Sequence, residues 1–271
     1  MQHKSICFIG GGNMAQAIVF GLLKQGYPAS LITVCDPNEE KRARFAQRGV
    51  QVTTENVQAV MQAEVVLLAV KPQAAADVCA ALSAVDFRDK LLISIMAAIS
   101  TQRLTALLPS TSHIVRVMPN TPALVSEGMA GLFAPPAVSA EFKQFAESLL
   151  NAVGKTCWVQ EEADMHAVTA ASGSSPAYFF LLMEAMQNAL LNMGLSEIQA
   201  RELVQQSAFG AAKMTVENPQ TSLATLRENV TSKGGTTAAA LNVFYEHQFA
   251  ETVKQAMQAC VVRSKEMEKL F

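Results

Sequence analysis

The sequence predicts an α/β protein: a doubly wound sheet domain followed by an all-α domain. Two observations lead to this class. Up to about Trp158, short apolar runs rich in Val, Ile and Leu alternate with helical patterns, and after it the strand signals stop. Such nearly continuous runs are typical of strands buried on both faces of a parallel sheet. We place the boundary near residues 158–164 and predict domains over residues 1–160 and 161–271.

The elements of the first domain follow from these runs and from the glycines that end its helices. Strands are predicted over residues 5–9, 31–35, 65–70, 91–94, 113–118 and 131–134. Helices are predicted over residues 13–24 and 39–47, closed by Gly26 and Gly49. Alternation of strand and helix predicts that the strands run parallel.

The second domain is predicted from helical patterns and caps. One long helical stretch covers residues 164–193 and is loosened near the small residues 172–176. Ser196 and Gln199 form a capping box for a helix that runs to Glu217. Further helices are predicted over residues 222–230, 236–245 and 249–271. Residues 174–191 carry only one charge, Glu184, so this helix must be buried on every side, and we predict an intertwined dimer.

Composition excludes several classes of protein. Half of the 271 residues are apolar and 16% are charged, which indicates a globular chain, and the net charge of −2 does not favour nucleic acid as a partner. The five scattered cysteines show no CxxC spacing, and the four histidines have no ligand at helical spacing, so no disulfide or metal is expected. The chain starts with no signal-peptide pattern and lacks an apolar run of roughly 18 residues. We expect a cytoplasmic protein with no membrane partner.

A glycine motif directly after the first predicted strand points to a dinucleotide. Gly10, Gly12 and Ala15 fit GxGxxG/A, with Asn13 and Met14 opening the helix. The first glycine permits the tight turn, the second lets a pyrophosphate approach the backbone, and the small Ala15 allows close packing of helix on strand. The helix N-terminus then faces the phosphates. The alternative is a glycine-rich turn without a ligand, but the strand–turn–helix context favours a Rossmann-type domain.

Asp36 ends the second strand, where an acidic residue bonds the ribose 2′-hydroxyl of NAD. The nearby basic residues Lys41, Arg42 and Arg44 can contact the 2′-phosphate of NADP, so the cofactor is NADH or NADPH. The alternative is that Asp36 and Asn38 serve only turn chemistry and helix capping.

Three further loops follow strand ends, where open α/β sheets bind ligands. Two prolines bracket Asn120 and Thr121, which gives a stiff loop suited to a nicotinamide contact; an ordinary proline-rich connection is the alternative. The cofactor-binding residues expected from these loops are Ala69, Val70, Lys71, Pro72, Ala97, Met118, Pro119 and Asn120.

In the second domain, two glycines and two threonines open the helix that starts near Thr236. Converging backbone N–H groups there make a carboxylate site, and the hydroxyls of Ser232, Thr236 and Thr237 are neutral donors and acceptors. Helix capping without a ligand is the alternative. Residues 172–178 form a similar small-residue opening, which we assign to packing and dimerisation.

Taken together, these segments resemble the pyrroline-5-carboxylate reductase family. The resemblance rests on FIGGGNMAQAI (8–18), AVKP (69–72), RVMPNTPA (116–123), ASGSSPAYFF (171–180) and VTSKGGTTAAAL (230–241). It implies NAD(P)H-dependent reduction of the cyclic imine L-1-pyrroline-5-carboxylate to L-proline, often with NADPH. It also implies a swapped helical homodimer, often assembled into rings of dimers.

The resemblance also implies roles for individual residues. Thr237 matches the position proposed to reach the ring nitrogen, which makes it the candidate catalytic residue. The substrate carboxylate is then held by Ser232, Gly234, Gly235, Thr236 and Thr237. The chain departs from the family pattern at Lys233, Ser175 and Met96-Ala97-Ala98, and none of these changes removes a group that the chemistry requires.

Two other functions are compatible with this fold class. A β-hydroxyacid dehydrogenase resembles this layout but uses a lysine on the first long C-terminal helix, and this chain has no lysine between Lys155 and Lys213. A non-catalytic dinucleotide sensor would not need a carboxylate site. The missing lysine and the presence of a carboxylate site both favour the reductase.

Overall fold

A computed structural model describes residues 3–271. Met1 and Gln2, with which the first predicted domain begins, lie outside the described residues. The strands are β1 (Ile6–Ile9), β2 (Ile32–Cys35), β3 (Gln51–Thr53), β4 (Val65–Leu68), β5 (Leu91–Ser94), β6 (His113–Met118), β7 (Gly128–Phe133) and β8 (Gly154–Trp158). The helices are α1 (Asn13–Lys24), α2 (Glu39–Ala46), α3 (Asn56–Gln62), α4 (Ala75–Ala81), α5 (Thr101–Leu107), α6 (Ala140–Leu150), α7 (Met165–Val168), α8 (Ser175–Asn192), α9 (Glu197–Glu217), α10 (Leu223–Asn229), α11 (Thr236–Glu246) and α12 (Phe249–Glu268).

The strands form one sheet in the order β3-β2-β1-β4-β5-β6-β7-β8. The pairs from β3 to β6 are all parallel, which confirms the predicted α/β class. The prediction of a wholly parallel sheet is wrong at one pair, because β7 runs antiparallel to β6. Only a short connection containing the 3₁₀ turn Thr121–Val125 joins these two strands, and a parallel crossover needs a dozen residues or more.

Helices cover both faces of the sheet. Alternate residues of β1 enter two separate cores: Ile6 and Phe8 join the one beneath α1 and α6, whereas Cys7 and Ile9 join the one beneath α3, α4 and α5. Side chains of successive strand residues point to opposite faces, so a strand buried on both must be apolar throughout. This is why the predicted apolar runs identified the central strands.

The C-terminal helices lie close to their predicted bounds. Between α7 and α8 the chain widens into a π-helical turn, Thr169–Gly173, at the place where the sequence predicted a loosened helix. The predicted capping box of Ser196 and Gln199 is present at the start of α9. None of the helices among the described residues combines the length and the apolar character that crossing a bilayer requires.

The chain divides into two compact units. The first contains the residues up to Pro176 together with Cys260–Phe271, and the second contains Ala177–Ala259. Within one chain the apolar helix 174–191 is largely exposed, so its predicted burial on every side requires a second subunit. Only Pro176 of α8 is buried, and Leu181 is 67% exposed. The helices of the second unit are too few to cover an apolar cylinder on all sides.

Candidate active site

The predicted cofactor loops all follow the carboxyl ends of the parallel strands. Ile9 at the end of β1 pairs with Cys35 on one side and with Leu68 on the other, so these strand ends are level. Chain order reverses between β1 and β4, which creates a crevice at the topological switch point. A dinucleotide placed there extends over β2 on its adenosine side and over β4, β5 and β6 on its nicotinamide side.

The glycine loop has the geometry that a pyrophosphate requires. Gly10 has φ +104°, and a Cβ at this position would lie 2.6 Å from the carbonyl oxygen of Ala69, so only glycine fits the turn. Gly12 is the N-cap of α1 and has no side-chain cap, while Ala15 is fully buried against the core. Backbone N–H groups at the start of α1, including those of Asn13 and Met14, therefore face the crevice without a capping side chain. These residues fit a dinucleotide.

The carboxylate of Asp36 is bound by the chain itself. It is 6% exposed, and it accepts hydrogen bonds from the amides of Gly11 at 2.8 Å and Asn38 at 2.9 Å. Lys41 Nζ lies 3.4 Å from Oδ2. Burial works to raise the pKa of Asp36, but the two amide bonds and Lys41 outweigh it and hold the pKa below its ordinary value. This arrangement supports the turn role that the sequence left open beside the ribose role.

The residues after Asp36 also have local partners. The side chain of Asn38 caps α2 by accepting from the amide of Lys41 at 3.0 Å. Arg42 Nη1 donates to the carbonyl oxygens of Asp36 at 2.7 Å and Pro37 at 2.9 Å. The basic side chains thus stand at the edge of the crevice where an adenosine ribose, or its phosphate, is expected.

The next two loops contact the glycine loop or border the crevice. The amide of Ala69 donates to the carbonyl of Ile9 at 2.8 Å, after which Val70 and the exposed Lys71 lead into a 3₁₀ turn at Pro72. The part-buried Ala97 lies in the loop between β5 and α5, next to Ala98 with φ +59°.

The loop after β6 is fixed from within the first unit. Pro119 is buried, Met118 is partly buried, and Asn120 is 8% exposed. The side chain of Asn120 accepts from the amide of Met129 and donates to Ser172. Its polar atoms are therefore engaged by protein groups, a role that the sequence did not reveal.

A buried ion-pair cluster beside this loop was also missed from the sequence. Arg116 on β6 is 4% exposed, and its Nη1 lies 2.9 Å from Glu162 and 2.8 Å from Glu268. Glu162 also accepts from the amide of Thr101 at 2.7 Å and from its hydroxyl at 2.6 Å. Because Thr101 begins α5, the cluster holds the end of the loop that contains Ala97. An arginine within an apolar strand was the available signal.

In the second unit, α11 begins as predicted at Thr236. Gly235 is its N-cap, no side-chain hydrogen bond caps it among the described residues, and Gly234 has φ +73°. Ser232 and Thr236 are exposed, and Thr237 is half-buried. The first-turn amides and three hydroxyls thus form one polar surface suited to a carboxylate.

The histidines and other metal-ligating side chains of the described residues form no candidate metal centre. Within residues 3–271, no group of three or more His, Cys, Asp or Glu side chains is placed to hold a metal ion. His166 is engaged by Ser264 at 2.9 Å and by Glu268 at 3.3 Å, which is the satisfied structural role predicted for it.

Comparisons with known proteins match both parts of the chain. A family model described as pyrroline-5-carboxylate reductase dimerisation matches residues 162–267, and one described as NADP oxidoreductase, coenzyme F420-dependent, matches residues 5–98. A pyrroline-5-carboxylate reductase of Haemophilus influenzae is 69% identical over 271 residues, all of both chains.

Solved structures agree with these matches. A pyrroline-5-carboxylate reductase from Coxiella burnetii has a TM-score of 0.93 at 41% identity, covering 98% of this chain and 99% of that one. The pyrroline carboxylate reductase of Plasmodium falciparum with NADP bound has a TM-score of 0.88 at 28% identity, covering 99% of both chains.

Proposed function

This chain belongs to the pyrroline-5-carboxylate reductase family, and from that membership we propose which of its residues carry out the reduction of L-1-pyrroline-5-carboxylate to L-proline with NAD(P)H. The observation that carries the assignment of the substrate site is the start of α11, where the helix lacks a side-chain cap and is flanked by hydroxyls. A small acid is the ligand that this surface suits best.

The reaction adds one hydride and one proton to a C=N bond. The imine carbon accepts the hydride, the ring nitrogen accepts the proton, and the C=N double bond becomes a single bond as the substrate is reduced. The reduced nicotinamide supplies the hydride when bound and leaves oxidised. A protonated imine already carries positive charge, so the protein needs no strong acid.

The substrate carboxylate is held by the amides of Gly234, Gly235, Thr236 and Thr237 and by the hydroxyl of Ser232. The positive end of the α11 dipole stabilises the negative charge, and the neutral hydroxyls orient it. Lys233 is exposed beside this surface and adds positive charge.

Thr237 is the proposed catalytic residue. Its hydroxyl donates to the ring nitrogen when that nitrogen is neutral and accepts from it when it is protonated. The hydroxyl thus stabilises the proton on the nitrogen, where the product amine keeps it. It is half-buried, whereas Thr236 is exposed, which supports the assignment of the polar role at the nitrogen to Thr237.

The proposed cofactor residues lie in five loops, which follow the ends of β1, β2, β4, β5 and β6. The proposed set is Gly10, Gly12, Asn13, Met14, Ala15, Asp36, Asn38, Ala69, Val70, Lys71, Pro72, Ala97, Met118, Pro119 and Asn120. Gly10 supports the set most directly, because a Cβ there would close the turn against Ala69.

The chain self-associates through its helical region, since this is the part that matches the dimerisation model. We assign residues 1–160 to the dinucleotide domain and residues 161–271 to the helical domain, a division close to the start of that match at residue 162. An intertwined homodimer, rings of such dimers, a cytoplasmic location and the absence of nucleic-acid or membrane partners complete the proposal. The wide exposure of α8 within one chain supports the dimer.

The activity is tested directly by measuring the absorbance change as NADH or NADPH is oxidised with pyrroline-5-carboxylate as the acceptor. Oxidation is expected with at least one cofactor. Oxidation only with a 2-keto or 3-keto acid would instead support a dehydrogenase, and no oxidation with any acceptor would support a sensor.

Replacing Thr237 tests its role. Thr237→Ala should lower kcat by about 10²–10⁴-fold, the usual range for acid–base groups, while dinucleotide binding stays nearly unchanged. Thr237→Ser keeps the hydroxyl and should retain most of the activity. An equal loss of cofactor affinity in the alanine variant would show that Thr237 is misassigned.

A further inference from the structure

The end of the β6–β7 ladder is completed by side chains. The last backbone pair is Met118 with Gly131, and continuing this register places Asn120 opposite Met129. There the Oδ1 of Asn120 accepts from the amide of Met129 at 2.9 Å, and the hydroxyl of Ser172 donates to the carbonyl of Met129 at 3.1 Å. Two side chains thus take over both hydrogen bonds of one strand residue.

The same two residues are joined to each other. Nδ2 of Asn120 lies 3.2 Å from the carbonyl oxygen of Ser172 and 3.3 Å from its hydroxyl oxygen. The carbonyl of Ser172 precedes by four residues Pro176, which has no N–H to donate to it. This carbonyl lacks its usual backbone donor in the helix and accepts instead from Asn120 and, at 3.5 Å, from the hydroxyl of Ser175.

Ser172 lies in the π-helical turn Thr169–Gly173, and this turn packs on the cofactor loop. The turn is closed by the wide hydrogen bond from the amide of Ser174 to the carbonyl of Thr169, at 2.8 Å. A Cβ on Gly173 would lie 2.4 Å from Cε of Met118 at the end of β6. Gly173 is thus in close contact with the end of the Met118 side chain, and single π turns occur often at functional sites.

We propose that Asn120 and Ser172 are positioning residues, which lock the turn Thr169–Gly173 onto the end of β6 and so fix the nicotinamide-side wall of the site. The inference rests on the proposed function, because it needs a dinucleotide over the strand ends. It differs in giving the Asn120 side chain a role that acts through Ser172 and Met129, so that Asn120 belongs to the proposed cofactor set through its backbone and not through its side chain. The expected consequence is control of hydride-transfer geometry more than of cofactor affinity.

The test compares Asn120→Ala, Ser172→Ala and their double variant with Asn151→Ala. Asn151 is an exposed residue of the same unit whose side chain accepts one hydrogen bond, from Thr156 at 3.1 Å. We call the hydrogen bonds that join Asn120, Ser172 and Met129 the bridge. Each single variant in the bridge should lower kcat by about 10²-fold, the scale of a 1 Å misplacement. The kcat of the double variant should be little lower than that of either single variant. The Kd of NADPH, measured by fluorescence without substrate, should stay close to that of the wild type.

Two readouts separate positioning from general damage. The primary deuterium isotope effect on kcat, with the cofactor deuterated at the transferred position, should rise in the bridge variants because hydride transfer becomes slower than product release. Hydrogen exchange of the peptide containing Met129 should accelerate without cofactor or substrate. Asn120→Asp, which keeps the acceptor for Met129, and Ser172→Thr, which keeps the hydroxyl, should both recover part of kcat.

The inference is overturned by unchanged kcat and exchange in the alanine variants, or by a loss of NADPH affinity in Asn120→Ala that Ser172→Ala does not reproduce. The second result would mean that the side chain of Asn120 binds the cofactor itself instead of bridging Ser172 and Met129. If the bridge variants fail to fold, Asn120→Asp and Ser172→Thr decide the same question. A wild type that binds NADPH but does not reduce the imine would defeat the proposed function, while the exchange result would still test the bridge.

Discussion

At the scale of single residues, the contacts of Asp36 bear on whether it anchors the glycine loop or binds the ribose on the adenosine side of the cofactor site. Its two oxygens already accept from Gly11 and Asn38, so the carboxylate stabilises the glycine loop directly. This anchoring explains an acidic residue at the end of β2 without reference to the ribose. An acidic residue at this position is thus weak evidence for NADH over NADPH.

Asp36→Asn tests the anchoring role through pH. Because the folded-state pKa lies below the ordinary 3.8, the ionised carboxylate stabilises the fold above that pH, and the stabilisation is lost as pH falls through the lowered pKa. At neutral pH the substitution should reduce the free energy of unfolding by about 1–3 kcal/mol. Urea unfolding of variant and wild type should give a difference that shrinks at pH values below 3.8.

The exposed Asp89 provides the control, since Asp89→Asn should change stability little at any of these pH values. A difference for Asp36→Asn that is the same throughout the range would contradict the anchoring role. Cofactor selectivity gives an independent check. Asp36→Ala should weaken NADH and NADPH alike if the carboxylate only anchors the loop, and a selective loss of NADH would assign the ribose to it.

At the scale of secondary-structure elements, the Arg116 cluster joins four parts of the first unit. Through Glu162 and Glu268, the guanidinium on β6 is connected to the start of α5 and to the end of α12. The arginine is buried and the two carboxylates are each about a quarter exposed, so the cluster depends on all three charges being present.

Arg116→Met should therefore destabilise the fold strongly. Removing the cation leaves Glu162 hydrogen-bonded to Thr101 and Glu268 next to His166, both without the guanidinium, and breaking a buried pair in this way costs about 3–5 kcal/mol. Thermal and urea unfolding measure the loss. Arg88→Met, which removes an exposed partner of Asp86, is the matched control and should change stability little. A loss for Arg116→Met no larger than that of the control would show that the cluster contributes nothing.

How far the elements could be predicted depends on how they are buried. The central strands and the long C-terminal helices were predicted within a few residues, because apolar runs and caps specify them locally. β3 and β8 were missed, since both lie at sheet edges and carry exposed or polar residues such as Gln51 and Lys155. The helices α3, α4, α5 and α6 were not assigned individually. The first three have only seven residues each, which is too short for a clear helical pattern.

The local geometry of the candidate site was predictable where one segment forms it and hidden where distant segments meet. Gly10 and the start of α11 lie in contiguous motifs, and the structure has both as expected. The partner of Asn120 is Ser172, 52 residues further along the chain, and only the register of β6 with β7 brings the two together. No local spacing encodes such a contact.

At the scale of the whole molecule, the second unit exposes many large apolar side chains. Phe179, Phe180 and Leu181 on α8 are all more than 60% exposed. Patches of this kind mark surfaces that bind other proteins. In a chain whose helical region matches a dimerisation family, the covering surface is expected from a second copy.

Leu181→Glu should disrupt this association. A charge on the apolar face of α8 would have to be buried without a partner in the dimer, so the variant should sediment as a monomer at concentrations where the wild type is a dimer or larger. Glu217→Gln, an exposed change on α9, is the control and should sediment as the wild type does. Unchanged sedimentation of Leu181→Glu would place the interface elsewhere.

In the proposed function, the N-terminus of α11 binds the carboxylate of L-1-pyrroline-5-carboxylate. A crystal structure with L-proline and NADP⁺ tests it most directly. Carboxylate oxygens are expected within hydrogen-bond distance of the amides of Thr236 and Thr237, and the ring nitrogen next to the Thr237 hydroxyl. A proline carboxylate bound away from α11, with the nicotinamide still over the strand ends, would contradict it.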